Sequence, residues 1–119
     1  MEHTPDTWVV LRIVSIKEDN QVFYRLLSGW IGGYTQSDVW RLNSGITKFE
    51  DADSHWIIHG QSGSVYRCHK NSYRLSALTS DKYTEWQKTL GEENIQMMPE
   101  DTDWMKMMQE IIHEQEHNY

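Results

Sequence analysis

The residues best suited to metal chemistry lie close to the end of the sequence. His113, Glu114 and His117 match the pattern H-E-x-x-H, which on a helix places two imidazoles one turn apart beside a glutamate that can act as a base. Catalytic zinc also needs a third protein ligand and a cavity that excludes water. Only Asn118 and Tyr119 follow the motif, and a segment rich in Glu and His produces the pattern easily by chance. We therefore expect a solvated helix end that holds neither a metal ion nor a cofactor, with a zinc hydrolase as a remote alternative.

A second group of histidines lies on a predicted β-hairpin. Gln61, Ser62 and Gly63 fit a three-residue turn in which Gly63 takes the left-handed conformation. That register pairs His59 with Val65, Ile57 with Arg67 and His55 with His69, and these six residues share one face. The other face belongs to the core and carries Trp56, Ile58, Tyr66 and Cys68. Cross-strand neighbours lie roughly 5 Å apart, but two histidines make a weak metal site, so we expect a solvent-facing polar face.

Sequence signatures of other reactions are missing. Neither the G-x-S-x-G nucleophile motif nor the G-x-x-x-x-G-K-[ST] phosphate loop occurs in the chain. The run Gly29-Trp30-Ile31-Gly32-Gly33 lacks the glycine spacing, and the following helix, that a dinucleotide site requires. We therefore expect that the protein is not an enzyme.

The same glycine-rich run suggests a binding site, because aromatic side chains lie on both sides of it. Trp30, Tyr34, Trp40 and Arg41 fall in or beside a loop between two predicted strands. Aromatic rings with a convergent guanidinium suit a nucleotide or a sugar. A small-ligand binding module at this loop is therefore one hypothesis for the function.

Charge is concentrated in the last third of the chain. The net charge is −7, yet residues 1–80 carry eight acidic and eight basic side chains, and residues 81–119 carry ten acidic side chains against three lysines. Phosphate contacts need cations, so we expect no direct binding of nucleic acid by this segment. A basic protein surface, such as one built to hold nucleic acid, is the complementary partner.

Methionines accompany these acids, with five of them between positions 97 and 108. Thioether side chains repack easily and suit adaptable binding surfaces. We therefore predict a partner-binding surface of carboxylates and apolar anchors, made of Glu100, Asp101, Asp103, Trp104, Met105, Met108, Glu110, Glu114 and Glu116. The alternative is that the Met and Ile stripe of this helix packs on the protein's own sheet, which needs a cover.

The elements that position these residues begin with strands. Residues 8–16 are apolar on both alternating faces and rich in β-branched residues, which predicts a central strand. Residues 22–27 form the second strand of a hairpin, and residues 39–42 and 46–50 are also predicted to be extended. With the histidine hairpin, these segments predict a four- to five-stranded antiparallel sheet.

From Ser80 onward the apolar residues follow a helical period. The first helix has Tyr83, Trp86 and Leu90 on one stripe and ends at Gly91. Pro99 precedes a second helix, which one of residues 101–103 caps and which carries an apolar stripe of Trp104, Met107, Met108, Ile111 and Ile112. The sequence therefore predicts a single α+β domain over 1–119, with the antiparallel sheet in 8–70 and an acidic segment with two C-terminal helices in 80–119.

Composition also indicates the cellular compartment in which the protein is found. No apolar run approaches the roughly 20 residues that span a bilayer, and residues 1–6 have neither the basic nor the apolar part of a secretory signal. The single cysteine, Cys68, fits a reducing environment. We expect a cytoplasmic protein without membrane contact.

Three segments carry a resemblance to a known group of proteins. They are Ser-Gly-Trp-Ile-Gly-Gly-Tyr at 28–34, Trp-Arg-Leu-Asn-Ser-Gly-Ile at 40–46 and Gly-Gln-Ser-Gly-Ser-Val-Tyr-Arg at 60–67. In the order of these motifs, residues 8–75 resemble small accessory proteins of tailed bacteriophages. The resemblance implies a protein made early in infection that binds and disables a host or defence protein in the host cytoplasm, and it implies no catalytic residues.

Together these observations favour a non-enzymatic phage-type inhibitor whose partner is a host or immune protein with a basic nucleic-acid-binding surface. An exposed edge strand would also allow a homodimer.

Overall fold

The computed structural model describes residues 2–32 and 37–117, and in the last helix it describes side chains as far as Ile112. Within these residues the strands are β1 (Glu2–His3), β2 (Thr7–Ser15), β3 (Gln21–Trp30), β4 (Val39–Leu42), β5 (Ile46–Ala52), β6 (His55–Gly60), β7 (Val65–His69) and β8 (Ile95–Met97). The helices are α1 (Ala77–Leu90) and α2 (Trp104–His117). The predicted α+β class with two C-terminal helices is confirmed.

The strands form two sheets of four, where the sequence predicted one sheet of four or five strands. One sheet has the order β1-β7-β6-β5 and the other β4-β3-β2-β8. Neighbouring strands are antiparallel, except that the short β1 runs parallel to β7. The chain passes from one sheet to the other between β1 and β2, between β4 and β5, and again between β7 and β8, and both sheets contribute to one continuous core.

Strand β2 is central, as its unbroken apolar run predicted. It pairs with β3 on one side and with β8 on the other. Because both of its faces and both of its edges are covered, the segment from Trp8 to Leu11 is fully buried. The pairing with β8 was not predicted, since Ile95–Met97 is too short to show strand alternation.

The histidine hairpin is confirmed in the predicted register. His55 pairs with His69, Ile57 with Arg67 and His59 with Val65. Gly63 has a φ of +89°, and the turn is closed by a hydrogen bond of 2.9 Å from the Gly60 amide to the Ser64 carbonyl. The opposite face lies in the core, where Ile58, Tyr66 and Cys68 are fully buried, whereas Trp56 is half-buried at the edge of the core.

Helix α1 starts three residues before the predicted position, because Ser76 and Thr79 form a reciprocal capping box. It ends at Gly91, as predicted, where φ is +94°. Trp86 is half-buried, whereas Leu90 is 45% exposed and so falls outside the packed stripe that the sequence predicted.

Helix α2 packs on the first sheet through the aromatic core. Asp103 caps it by accepting a hydrogen bond of 3.1 Å from the Lys106 amide. The Trp104 ring lies parallel to Phe49 of β5, with centroids 5.3 Å apart. Neither helix in the described part of the chain has the length and apolar content needed to cross a membrane.

Candidate functional site

Four carboxylates stand exposed on and beside α2, three of them between β8 and the helix and one in its second turn. This acidic surface consists of Glu100, Asp101, Asp103 and Glu110. None of the four takes part in an ion pair with another described side chain. Their charges are therefore directed to solvent and available to a cationic partner.

The backbone under the acidic surface is held from both ends. The Met98 amide donates a hydrogen bond of 2.8 Å to the Val10 carbonyl, and the Tyr73 hydroxyl donates to the Met98 carbonyl. The Thr102 hydroxyl closes a turn by donating to the Pro99 carbonyl at 2.6 Å. Because β2 and the turn constrain this segment, little conformational entropy would be lost when it binds a partner.

Trp104 holds the start of α2 against the core and does not reach solvent. Its side chain is 3% exposed and lies within 6.2 Å, between ring centroids, of Trp8, Tyr73 and Phe49. Met108 is also buried. The prediction that Trp104 and Met108 are partner anchors is therefore corrected, since both side chains cover the protein's own sheet.

Two other apolar side chains of α2 remain on the surface. Met105, a predicted anchor, is 44% exposed, and Ile112 is 47% exposed. They are seven residues apart, which places them on one side of the helix about 10 Å from each other along its axis. Ile112 was not predicted to lie on the surface, although its spacing of seven residues from Met105 indicates that the two share one side of the helix.

The two remaining acidic residues of the predicted partner-binding surface, Glu114 and Glu116, fall in the last turns of α2. The α2 backbone continues to His117, so the H-E-x-x-H motif is helical. The side chains of Glu114, Glu116 and the two motif histidines lie outside the described ones. Among the described residues, no group of three His, Cys, Asp or Glu side chains is placed to hold a metal ion.

The aromatic residues beside the glycine-rich loop do not share one pocket. Trp40 is the cross-strand partner of Gly29, whereas Arg41 pairs with Ser28, so Trp40 and Arg41 lie on opposite faces of the sheet. Trp40 packs on Trp86 of α1, with centroids 5.4 Å apart.

Trp30 lies on the same face as Arg41, where its indole nitrogen donates to the Thr4 carbonyl at 3.0 Å. Tyr34 lies outside the described residues.

On the Arg41 face, His3 of β1 forms a small cluster that the sequence gave no reason to expect. An Arg41 nitrogen donates to His3 Nε2 at 3.2 Å, because a guanidinium has no acceptor. The His3 ring stacks on Tyr66 at 4.9 Å and meets Trp30 edge-on at 6.1 Å. Partial burial of the ring, together with the charge of Arg41, lowers the pKa of His3.

We expect acidification to loosen β1 through His3. A proton on Nε2 would remove the Arg41 hydrogen bond and place two positive charges side by side. Since the pKa of His3 is lower in the folded protein than its ordinary value of 6.5, the unfolded state binds more protons, and stability falls as pH drops below that value. Amide exchange at β1 between pH 7 and pH 5 measures this loss. His3→Gln keeps an acceptor for Arg41, and an equal pH response in that variant would contradict the assignment to His3.

Function has to be argued from this geometry, because comparison of the chain with protein-family models, curated proteins and solved structures found no match.

Proposed function

We propose that this protein is a non-enzymatic inhibitor of phage type that docks its acidic surface on the basic, nucleic-acid-binding surface of a host or defence protein. One observation carries the proposal. Three exposed carboxylates before α2 and a fourth in its second turn make no ion pair with a described side chain, and the core holds the start of this helix in place. The resemblance to phage accessory proteins supports the inhibitory role and a host-cytoplasmic location, and the homodimer stays a prediction.

Electrostatic complementarity at such a surface acts mainly on the rate of association. Exposed charge pairs contribute roughly 0.2–1 kcal/mol each, so no single carboxylate would dominate. The net charge of −7, concentrated in the last third, would raise encounter rates with a basic protein and make them fall with salt. Met105 and Ile112 supply the apolar contact that would slow dissociation.

The test compares two triple variants that each lose three negative charges, one on the acidic surface and one elsewhere on the protein. Glu100→Gln, Asp101→Asn and Glu110→Gln together remove three charges from the acidic surface, and Asp103 is kept because it caps α2. The control removes three exposed charges elsewhere, by Glu18→Gln, Asp81→Asn and Glu92→Gln. Tagged proteins are used for capture from bacterial lysate at low and high salt, with identification by mass spectrometry.

We expect the wild-type protein to retain a nucleic-acid-handling protein at low salt and to release it at high salt. With that purified partner, the surface variant should associate about tenfold more slowly at low salt, whereas the control should change little. Equal binding by the surface variant and the wild type would show that the acidic surface is not the interface.

A further inference from the structure

The solvent-facing side of the β6–β7 hairpin carries a cluster of nitrogen donors that the acidic surface does not involve. His55 and His69 are cross-strand partners with ring centroids 4.8 Å apart and planes at 75°. Arg67 precedes His69 by two residues and therefore shares its face. Arg67 is exposed, and the two histidines are half-buried. From this juxtaposition we propose that His55, Arg67 and His69 bind a phosphate group.

The hydrogen bonds of the imidazoles decide which kind of ligand they can take. His69 Nδ1 accepts a hydrogen bond of 3.0 Å from the Asn71 amide, so the neutral ring carries its proton on Nε2. His55 Nδ1 lies 2.7 Å from the Ser54 hydroxyl, which can donate to this nitrogen or accept from it. The Nε2 of neutral His69 is then an N–H donor, and the Nε2 of His55 is one when the Ser54 hydroxyl donates or when the ring is protonated. That is the wrong state for a metal ligand and the right one for a phosphate oxygen.

The backbone holds His69 in this orientation. The Trp8 indole nitrogen donates a hydrogen bond of 2.7 Å to the His69 carbonyl, and Trp8 itself is fully buried. The Lys70 amide donates to the Ser54 carbonyl at 3.0 Å, which ties together the strand ends that carry the two histidines. The strand ends that carry the two rings are therefore preorganised, which reduces the entropic cost of binding.

The charges around the cluster favour an anion. Arg67 has no carboxylate partner among the described side chains, and its guanidinium presents five donors in a fork that fits phosphate oxygens. Lys48 and Lys70 are already paired with Glu50 and Asp51, each at 2.7 Å. Glu50 shares this face two strands from Arg67, with its charge compensated by Lys48. The exposed Asp53 lies two residues before His55 in the β5–β6 turn.

Titration of His55 provides an independent readout. Loss of solvation, followed by the positive charges of Arg67 and His69, lowers the pKa of this ring. A bound dianion would counter both charges, so phosphate should raise the pKa. The third histidine of this face, His59, lies four residues from His55 along β6, with Nε2 3.5 Å from a Glu50 oxygen.

The experiment follows the imidazole nitrogens by NMR in ¹⁵N-labelled protein. Sodium phosphate is titrated against sodium chloride at matched ionic strength, and O-phosphoserine is titrated in parallel to distinguish a free phosphate from a phosphomonoester. We expect saturable shifts at His55 and His69, a raised His55 pKa, and an apparent affinity about fivefold weaker in Arg67→Gln. Tighter binding of phosphoserine would assign the site to a monoester on a larger ligand.

Lys88→Gln is the matched control, because it removes one exposed positive charge that lies on α1, outside the cluster, and that is not paired with a described carboxylate. Its titration should match the wild type. Linear shifts that chloride reproduces, an unchanged titration of Arg67→Gln, or a proton on Nδ1 of His69 would each overturn the phosphate site.

Discussion

Trp104→Ala is expected to lower the free energy of unfolding by about 3–5 kcal/mol, the usual cost of removing a fully buried Trp side chain. The indole is 3% exposed and stacks on Phe49, so its loss leaves a cavity between α2 and the first sheet. Urea unfolding followed by far-UV circular dichroism measures the change. Ile112→Ala on the same helix is the control and should cost less than about 0.5 kcal/mol, because that side chain is largely exposed.

This prediction also bears on function. If Trp104→Ala cost less than about 1 kcal/mol, α2 would not be packed on its own sheet as described, and the indole would again be a candidate anchor for a partner. If the expected loss is found, the role of α2 in binding is limited to its outer side. Partner binding should then be tested with Trp104 unchanged.

Asn43→Ala is expected to lower the free energy of unfolding by about 2 kcal/mol, because it leaves the buried Leu26 amide without a partner, whereas the Gly45 carbonyl keeps its hydrogen bond from the Gln61 amide. The Asn43 side-chain oxygen accepts a hydrogen bond of 2.7 Å from the Leu26 amide, and its nitrogen donates to the Gly45 carbonyl at 3.3 Å. Asn43 is buried at the point where the chain crosses from the second sheet to the first. The amide group therefore joins β3 to the β4–β5 connection.

Thermal and urea unfolding of Asn43→Ala and of Asn71→Ala would test this assignment. Asn71 is exposed, and its side chain makes no hydrogen bond to the described residues, so its substitution should be close to neutral. An equal effect of the two substitutions would contradict the bridging role of Asn43.

Local turn chemistry explains why the histidine hairpin could be predicted to the residue. Gly63 is the residue type that a left-handed turn position favours, and the alternation of Ile58, Tyr66 and Cys68 with polar residues then leaves a single register. Strand β8 could not be predicted, because three residues carry no periodicity and their pairing depends on where β2 lies in the sheet.

The candidate site shows where sequence patterns stop being informative. An apolar stripe that contains Trp104 and Met108 is the same whether it packs on its own sheet or on a partner, so only the tertiary structure decides. The glycine-rich loop is a different case, because the sequence itself argues against the prediction that Trp40 and Arg41 line one pocket. Trp40 and Arg41 are adjacent in a predicted strand, and adjacent strand residues point to opposite faces.

Because Cys68 is buried, its reaction with a thiol reagent can report when the β6–β7 hairpin separates from the core. Burial raises the pKa of the Cys68 thiol, and no part of the side chain reaches solvent, so reagents can modify it only when the β6–β7 hairpin separates from the core. The rate of alkylation therefore measures opening of the first sheet without any engineered probe. A cysteine introduced at the exposed Gln109 can be labelled selectively beside it, which gives binding studies of α2 a single attachment point.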